Sequence, residues 1–279
     1  MTQFNDLDAR LLVDLLRDRI KPKKSLGQHF LVDENVKNLI INSLKETKFK
    51  NILEIGPGEG SITNKLIDIS NNYVGIEYDS TLYKKLSNRY EKSKNVNFLN
   101  YDAGIFDVLK LKNFFREDYI LVGNLPYYSS NKIVRNFISS SFKPLNLVIM
   151  IQKEVADNYL LSTPKMKFVT NCVQMYAEPK LIANVNPESF NPAPKVYSSI
   201  LNLKIKDSSL IPKNSELIID TIKKGFEFPR KKITNSFVSF DKNKIINILN
   251  KLGINIDFRP GNLTLNNWED IHKEINNEN

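Results

Sequence analysis

The sequence predicts an α/β protein: a doubly wound, mainly parallel sheet of seven strands, followed by a small C-terminal helical domain. Three observations carry this. From residue 51 onward, short apolar runs rich in β-branched residues alternate with amphipathic stretches, the pattern of strands joined by helical crossovers. The first run opens into a glycine-rich turn, Gly56-Pro57-Gly58-Glu59-Gly60. Beyond about residue 210 the strand pattern stops and only helical periodicity remains.

Taken in order, Phe4, Leu7, Leu11, Leu15 and Leu16 fall at helical spacing with Asp6 as a cap, so residues 1–20 read as an amphipathic helical extension. The predicted strands are Ile52 to Ile55, Tyr73 to Glu77, Val96 to Leu99, Tyr119 to Val122, Leu145 to Ile151, Leu181 to Val185 and Ser199 to Ile205. Between them Ile62 to Ile69, Thr81 to Tyr90 and Ile133 to Phe137 read as helices, the last with Ser129 and Ser130 as candidate caps. These elements make up a domain over 21–208. In 209–279, Ser215 to Phe226, Ile233 to Phe237 and Lys242 to Leu252 read as helices, with Gly253 as a stop.

Composition narrows the class. The 279 residues are 41% hydrophobic, enough for a sizeable core, and no run approaches the ~18 uncharged apolar residues of a membrane span. The start lacks the basic and apolar regions of a secretion signal. One cysteine, Cys172, and two histidines, His29 and His272, form no zinc set, so no metal is expected and a reducing cytoplasm fits. An excess of 40 Lys+Arg over 31 Asp+Glu gives a net charge of +9, which favours a polyanionic partner such as nucleic acid.

In an open parallel sheet, ligands bind beyond the carboxyl ends of the strands, where loops diverge and helix N-termini offer unpaired N–H groups. The five leading strands end there in the glycine turn, Glu77, Asp102, Asn124-Leu125-Pro126-Tyr127 and Gln152-Lys153-Glu154. Gly56 and Gly58 let backbone approach a ligand, Glu77 stands where an acid reaches a ribose diol, and Asp102 suits an adenine amino group. The glycine pattern departs from the dinucleotide fingerprint, and no Gly-Lys-Ser/Thr follows. A nucleoside without a pyrophosphate grip is implied, and S-adenosylmethionine is such a nucleoside.

The uncharged amide of Asn124 then acquires a purpose. An exocyclic adenine amine is a poor nucleophile because its lone pair is delocalised into the ring. The Asn124 oxygen and the Leu125 carbonyl, held by rigid Pro126, can accept its two N–H bonds and aim the lone pair at a methyl donor. Tyr127 can stack on a flipped base.

With these residues in view, the chain resembles the ribosomal RNA adenine dimethylases, in particular the small-subunit (16S) type. The match runs from about Lys21 to Ile271. Besides the motifs above it includes Lys24 to Leu31, Met150 to Ala156, Phe190 to Ser199, Phe228-Pro229-Arg230-Lys231-Lys232 with Asn235-Ser236, and Arg259 to Trp268. The resemblance implies a Rossmann-like methyltransferase domain, S-adenosylmethionine as donor, and two adjacent adenines in a hairpin near the 3′ end of 16S RNA, in an immature 30S subunit, as acceptors. It assigns His29, Leu31, Gly56, Glu77, Asp102 and Asn124 to the donor, and sets Phe190 against the target base on the face opposite Tyr127. For RNA contact the candidates are Lys21, Lys23, Lys24, Lys195, Arg230, Lys231 and Lys232, the 230–232 run being favoured because cations beside a target cleft grip phosphates. A monomer is expected. Tyr128 stands where relatives commonly carry Asn, and the 163–168 loop is short and lacks their Tyr-Gly-Arg, which touches substrate grip more than chemistry.

Three rivals remain at this stage. A 23S RNA dimethylase fits less well, because EIGPGEG, the Leu of NLPY and the helical tail look like the 16S type. A non-catalytic assembly or nucleic-acid-binding factor has no need of an intact NLPY. A nicotinamide-dependent oxidoreductase lacks both the glycine spacing and a hydride-chemistry residue set.

Overall fold

The computed structural model describes residues 28–44 and 51–277. The expected helix over 1–20 and the candidates Lys21, Lys23 and Lys24 lie outside the described residues.

Seven strands form one sheet, β2 (Asn51–Ile55), β3 (Asn72–Glu77), β4 (Val96–Asn100), β5 (Tyr119–Asn124), β6 (Asn146–Gln152), β7 (Ala177–Val185) and β9 (Ser198–Ile205), in the order β4-β3-β2-β5-β6-β9-β7. The first five are parallel, while β9 runs antiparallel to β6 and to β7. The core strands bury both faces. On one side Leu53, Ile55, Leu121 and Ile149 join a cluster that continues through Ile218 and Ile222 to Trp268, and on the other Ile52, Tyr73, Ile120 and Val148 pack with Leu31 and Phe190. That two-sided burial is why the central strands read as continuous apolar runs.

Helices α1 (Glu34–Leu44), α2 (Thr63–Asp68), α3 (Ser80–Arg89), α4 (Ser130–Ser139), α5 (Lys153–Tyr159) and α6 (Phe168–Tyr176) cover the sheet. Asp79 caps α3 by accepting the Thr81 N–H at 2.9 Å. Ser129, an expected cap of α4, makes no side-chain cap bond. After β9 come α7 (Ser215–Gly225), α8 (Lys242–Lys251) and α9 (Leu265–Asn277), where Gly225 lies so close under the buried Trp268 that a methyl group there would sit 2.4 Å from the indole. Gly253 ends α8 at φ +67°, the left-handed conformation glycine adopts without strain.

The differences from expectation are local. The expected strand at Leu181 begins earlier, at Ala177, and the expected helix at Ile233 is one 3₁₀ turn, Ile233–Asn235. Helices α1, α5, α6 and α9 were not anticipated. Neither was a two-residue antiparallel ladder of β1 (Phe30–Leu31) with β8 (Phe190–Asn191), which is too short to leave a periodic signal.

Candidate active site

Parallel register brings the strand ends together. Ile55 is opposite Ile76 on one side and Gly123 on the other, so Glu77 and Asn124 each stand one residue beyond it and flank the glycine turn. Gly56, Gly58 and Gly60 have φ of +66°, +62° and +85°, and the Gly56 N–H bonds the Ile76 carbonyl at 2.9 Å as the chain leaves the sheet. A side chain at Gly58 would press on the Phe30 ring at 3.2 Å.

The result is a cleft enclosing about 1060 Å³, partly open to solvent. His29, Leu31, Gly56 and Gly58 line it, with Glu77 and Asp102 beyond them. Asn124, Leu125, Pro126 and Tyr127 form a further wall. All the expected donor residues and four of the five expected catalytic ones therefore converge. Phe190 does not. It is 4% exposed, paired with Leu31 across the β1–β8 ladder and packed in the core, so in this structure it presents no face to the cleft. Lys195, Arg230, Lys231 and Lys232 are exposed and stand outside the cleft lining. Lys232 is paired with Asp257 at 2.6 Å, Lys231 lies over the Phe228 ring at 4.4 Å, and Arg230 has no ion-pair partner among the described residues.

Asn124 is oriented by the segment that crosses above it. Its Nδ2 donates to the His29 carbonyl at 3.1 Å, and nothing among the described residues donates to its Oδ1. The His29 ring bonds the Pro192 carbonyl through Nδ1 at 2.7 Å and stacks on Tyr127 at 5.6 Å. Tyr127 in turn shares a 2.7 Å hydrogen bond with Ser198, and burial raises its hydroxyl above the ordinary tyrosine range. One face of the ring expected to receive a base is thus already covered by His29.

Glu77 is 6% exposed, and each of its oxygens accepts a backbone N–H: Gly58 on Oε2 at 3.0 Å and Asp79 on Oε1 at 2.8 Å. Burial pushes its carboxyl up while those two bonds pull it down. A carboxylate has about four acceptor sites, so each oxygen retains a lone pair for a diol. Asp102 is looser, with one oxygen on the Gly104 N–H at 2.7 Å and the other 3.8 Å from Lys132.

Several residues of the wall were not singled out beforehand, and one of them is charged and buried. Glu54, in the strand just before the glycine turn, lines the cleft and is 2% exposed. The signal was available: a carboxylate inside a strand whose every residue is buried. Ser198 and Tyr78 carried no comparable signal.

The comparisons with known proteins agree with this geometry. A family model, ribosomal RNA adenine dimethylase, matches residues 19–277. The chain belongs to the ribosomal RNA adenine dimethylase family. It is 33% identical to a ribosomal RNA small subunit methyltransferase A of Francisella tularensis subsp. novicida (strain U112), over 90% of this chain and 96% of that one. Among solved structures, a dimethyladenosine transferase from Plasmodium falciparum is 25% identical with a TM-score of 0.76, covering 90% of this chain and 98% of that one. A 23S rRNA methyltransferase, ErmE, is 20% identical with a TM-score of 0.67, over 88% of this chain and 99% of that one, a likeness of fold. The family's members are adenine-N6,N6 dimethyltransferases of ribosomal RNA that use S-adenosylmethionine, and so is this chain. The residues present fit that donor, because the left-handed glycines Gly56 and Gly58, buried Glu77 and half-buried Asp102 line one cleft whose lining holds no lysine or arginine to grip a pyrophosphate. No described helix is long and apolar enough to cross a membrane.

Proposed function

We propose that the chain dimethylates the exocyclic amines of two adjacent adenines in a hairpin near the 3′ end of 16S RNA, acting as a monomer on an immature 30S subunit in the cytoplasm. The observation that carries the chemistry is the orientation of Asn124: with Nδ2 committed to the His29 carbonyl, Oδ1 is the acceptor left for substrate. Choice of the small-subunit RNA rests on the likeness to the Francisella small-subunit enzyme, which exceeds that to the 23S enzyme.

In this reading Asp102 meets the donor's adenine, Glu77 its ribose, and His29, Leu31, Gly56 and Gly58 complete its cradle. The bound donor supplies an electrophilic methyl group on a sulfonium. Asn124 Oδ1 and the Leu125 carbonyl accept the two N–H bonds of the target amine, drawing its nitrogen toward a tetrahedral shape with the lone pair directed at that methyl. Pro126 holds the carbonyl in place, and the free face of Tyr127 supports the base. The amide is neutral, so it adds no charge beside a sulfonium. The nitrogen becomes acidic on alkylation, hence no strong base is needed and holding the two atoms at about 3–3.5 Å does most of the work. Phe190 contributes as packing behind Leu31 or, after movement of the β1–β8 ladder on RNA binding, as the second stacking ring.

Residues 21–208 then form the methyltransferase domain and 209–279 the RNA-contacting one, with Lys195, Arg230, Lys231 and Lys232 on phosphates. Under-methylated 30S and 50S particles offered with labelled S-adenosylmethionine test the whole reading. Label in the 3′ hairpin of 16S RNA is expected; label confined to 23S RNA overturns it.

A further inference from the structure

Tyr197 is 53% exposed, and neither its ring nor its hydroxyl has a partner among the described residues. An exposed tyrosine is ordinary by itself, but the backbone of this one is held in place from three sides. Its carbonyl accepts the Lys153 N–H at 2.9 Å, which ties it to the start of α5. The next residue, Ser198, is fully buried, opposite Gln152 in the β6–β9 ladder and hydrogen-bonded to the Tyr127 hydroxyl at 2.7 Å. Upstream, the Pro192 carbonyl is bonded to the His29 ring at 2.7 Å, and Pro194 restricts the chain between. A tyrosine side chain has only two torsions left to fix, so a ring on such a backbone can be engaged at little entropic cost.

Its place in the sheet says what would engage it. The order β4-β3-β2-β5-β6-β9 puts the nucleoside acids on one side of Asn124 and Tyr197 on the other, beyond β6. Tyr127 lines the cleft, whereas Tyr197, one peptide link from the serine that Tyr127 bonds, does not. The Tyr197 ring therefore suits a base just outside the cleft and not the one inside it. On the two-adenine reading above, on which this inference rests, the target adenine leaves its stack to enter the cleft, which strips the neighbouring base of a stacking partner. We propose that Tyr197 stacks on the adenine of the pair that waits outside while the other reacts. Lys195, exposed and without an ion-pair partner among the described residues, lies two residues before it to meet the phosphate, while nearby Lys153 is committed to Asp157 at 2.7 Å. Tyr197 is thus a positioning residue, holding the register of the RNA strand while Asn124 faces the amine.

Small-subunit particles reconstituted with the adenine pair intact, or with either adenine replaced by an abasic residue, test this on the whole chain, Tyr197→Ala and Tyr197→Phe. On the intact pair, Tyr197→Ala should slow single-turnover methyl transfer about tenfold at subsaturating particles and less than about twofold at saturation, the pattern of lost binding to a base that does not react. Tyr197→Phe keeps the ring and should match the unaltered chain. With the waiting adenine abasic, the unaltered chain should show the same tenfold loss and Tyr197→Ala almost no further one. S-adenosylhomocysteine should bind all three proteins alike in calorimetry, because the ring stands outside the donor cleft. Losses that multiply on both abasic substrates, a Phe variant as slow as the Ala variant, or weakened donor binding in Tyr197→Ala overturns the assignment. No transfer by the unaltered chain to either adenine of the intact pair overturns the two-adenine reading itself.

Discussion

At the scale of single residues, the site works by committing atoms to partners so that others remain available. Asn124 shows this most directly, since one bond from Nδ2 to the His29 carbonyl leaves Oδ1 as the open end of the amide. Replacing it by Ala should lower single-turnover methyl transfer by about 10²–10³-fold, the scale of removing one preorganised hydrogen bond, while RNA affinity in a filter or shift assay stays within about twofold. Unchanged turnover would reject the amide mechanism. Glu54 makes a second prediction through stability. Burial pushes its carboxyl up to about 7, above the 4.5 of an ordinary Glu, so its stabilising contribution is present below about pH 4.5 and is lost as pH rises through 7. Glu54→Gln, which keeps an acceptor and never ionises, should thus be more stable than the unaltered chain at pH 8 by about 1–3 kcal/mol and nearly equal to it at pH 5, read by guanidinium unfolding at each pH. Equal differences at both pH values would refute it. The places of Glu77 and Asp102 in the cleft wall were legible from their positions after β3 and β4. The burial of Phe190 was not, because an aromatic in a Pro-rich stretch reads alike whether it faces a cleft or a core.

The elements matter through the approach distances they enforce. Strands β2 and β5 come so close at their carboxyl ends that a methyl group on Gly123 would sit 2.7 Å from the Ile55 carbonyl oxygen. Gly123→Ala should therefore cost about 1–3 kcal/mol in chemical denaturation and, because Asn124 is the next residue, reduce methyl transfer as well. A fully stable and active variant would show that the strand ends separate freely. Strand and helix periodicity located the sheet and most of its crossovers, since apolar runs buried on both faces leave little room for other readings. Helix α5 was missed because it begins directly after β6 with no turn signal between them, and the β1–β8 ladder because two residues have no period. Yet that ladder lays the His29 segment over Asn124, so an element too short to see in sequence orients the Asn124 amide.

For the whole molecule, charge and core determine how RNA can be held. The apolar cluster beneath the sheet continues into α7–α9 up to Trp268, which seats the exposed Arg230 and Lys231 on a packed base. Lys232, already paired with Asp257, is the weaker candidate of the three. Arg230→Ala with Lys231→Ala should weaken RNA binding by a similar factor for specific and unrelated RNAs and lower the salt slope of log K by about 1–2, with the single-turnover rate on saturating RNA little changed. An unaltered salt slope would remove these cations from the interface. Sequence by itself determined the α/β class, the residue types gathered at the strand ends and the family, because periodicity and residue type are local properties that survive in one dimension. Tertiary structure alone decided which buried acid meets hydroxyls and no cation, which face of Tyr127 is open and which end of the Asn124 amide is free. Those depend on groups 19 to 95 residues apart, such as Glu54 with Tyr73 and Asn124 with His29, that only folding brings within hydrogen-bond reach.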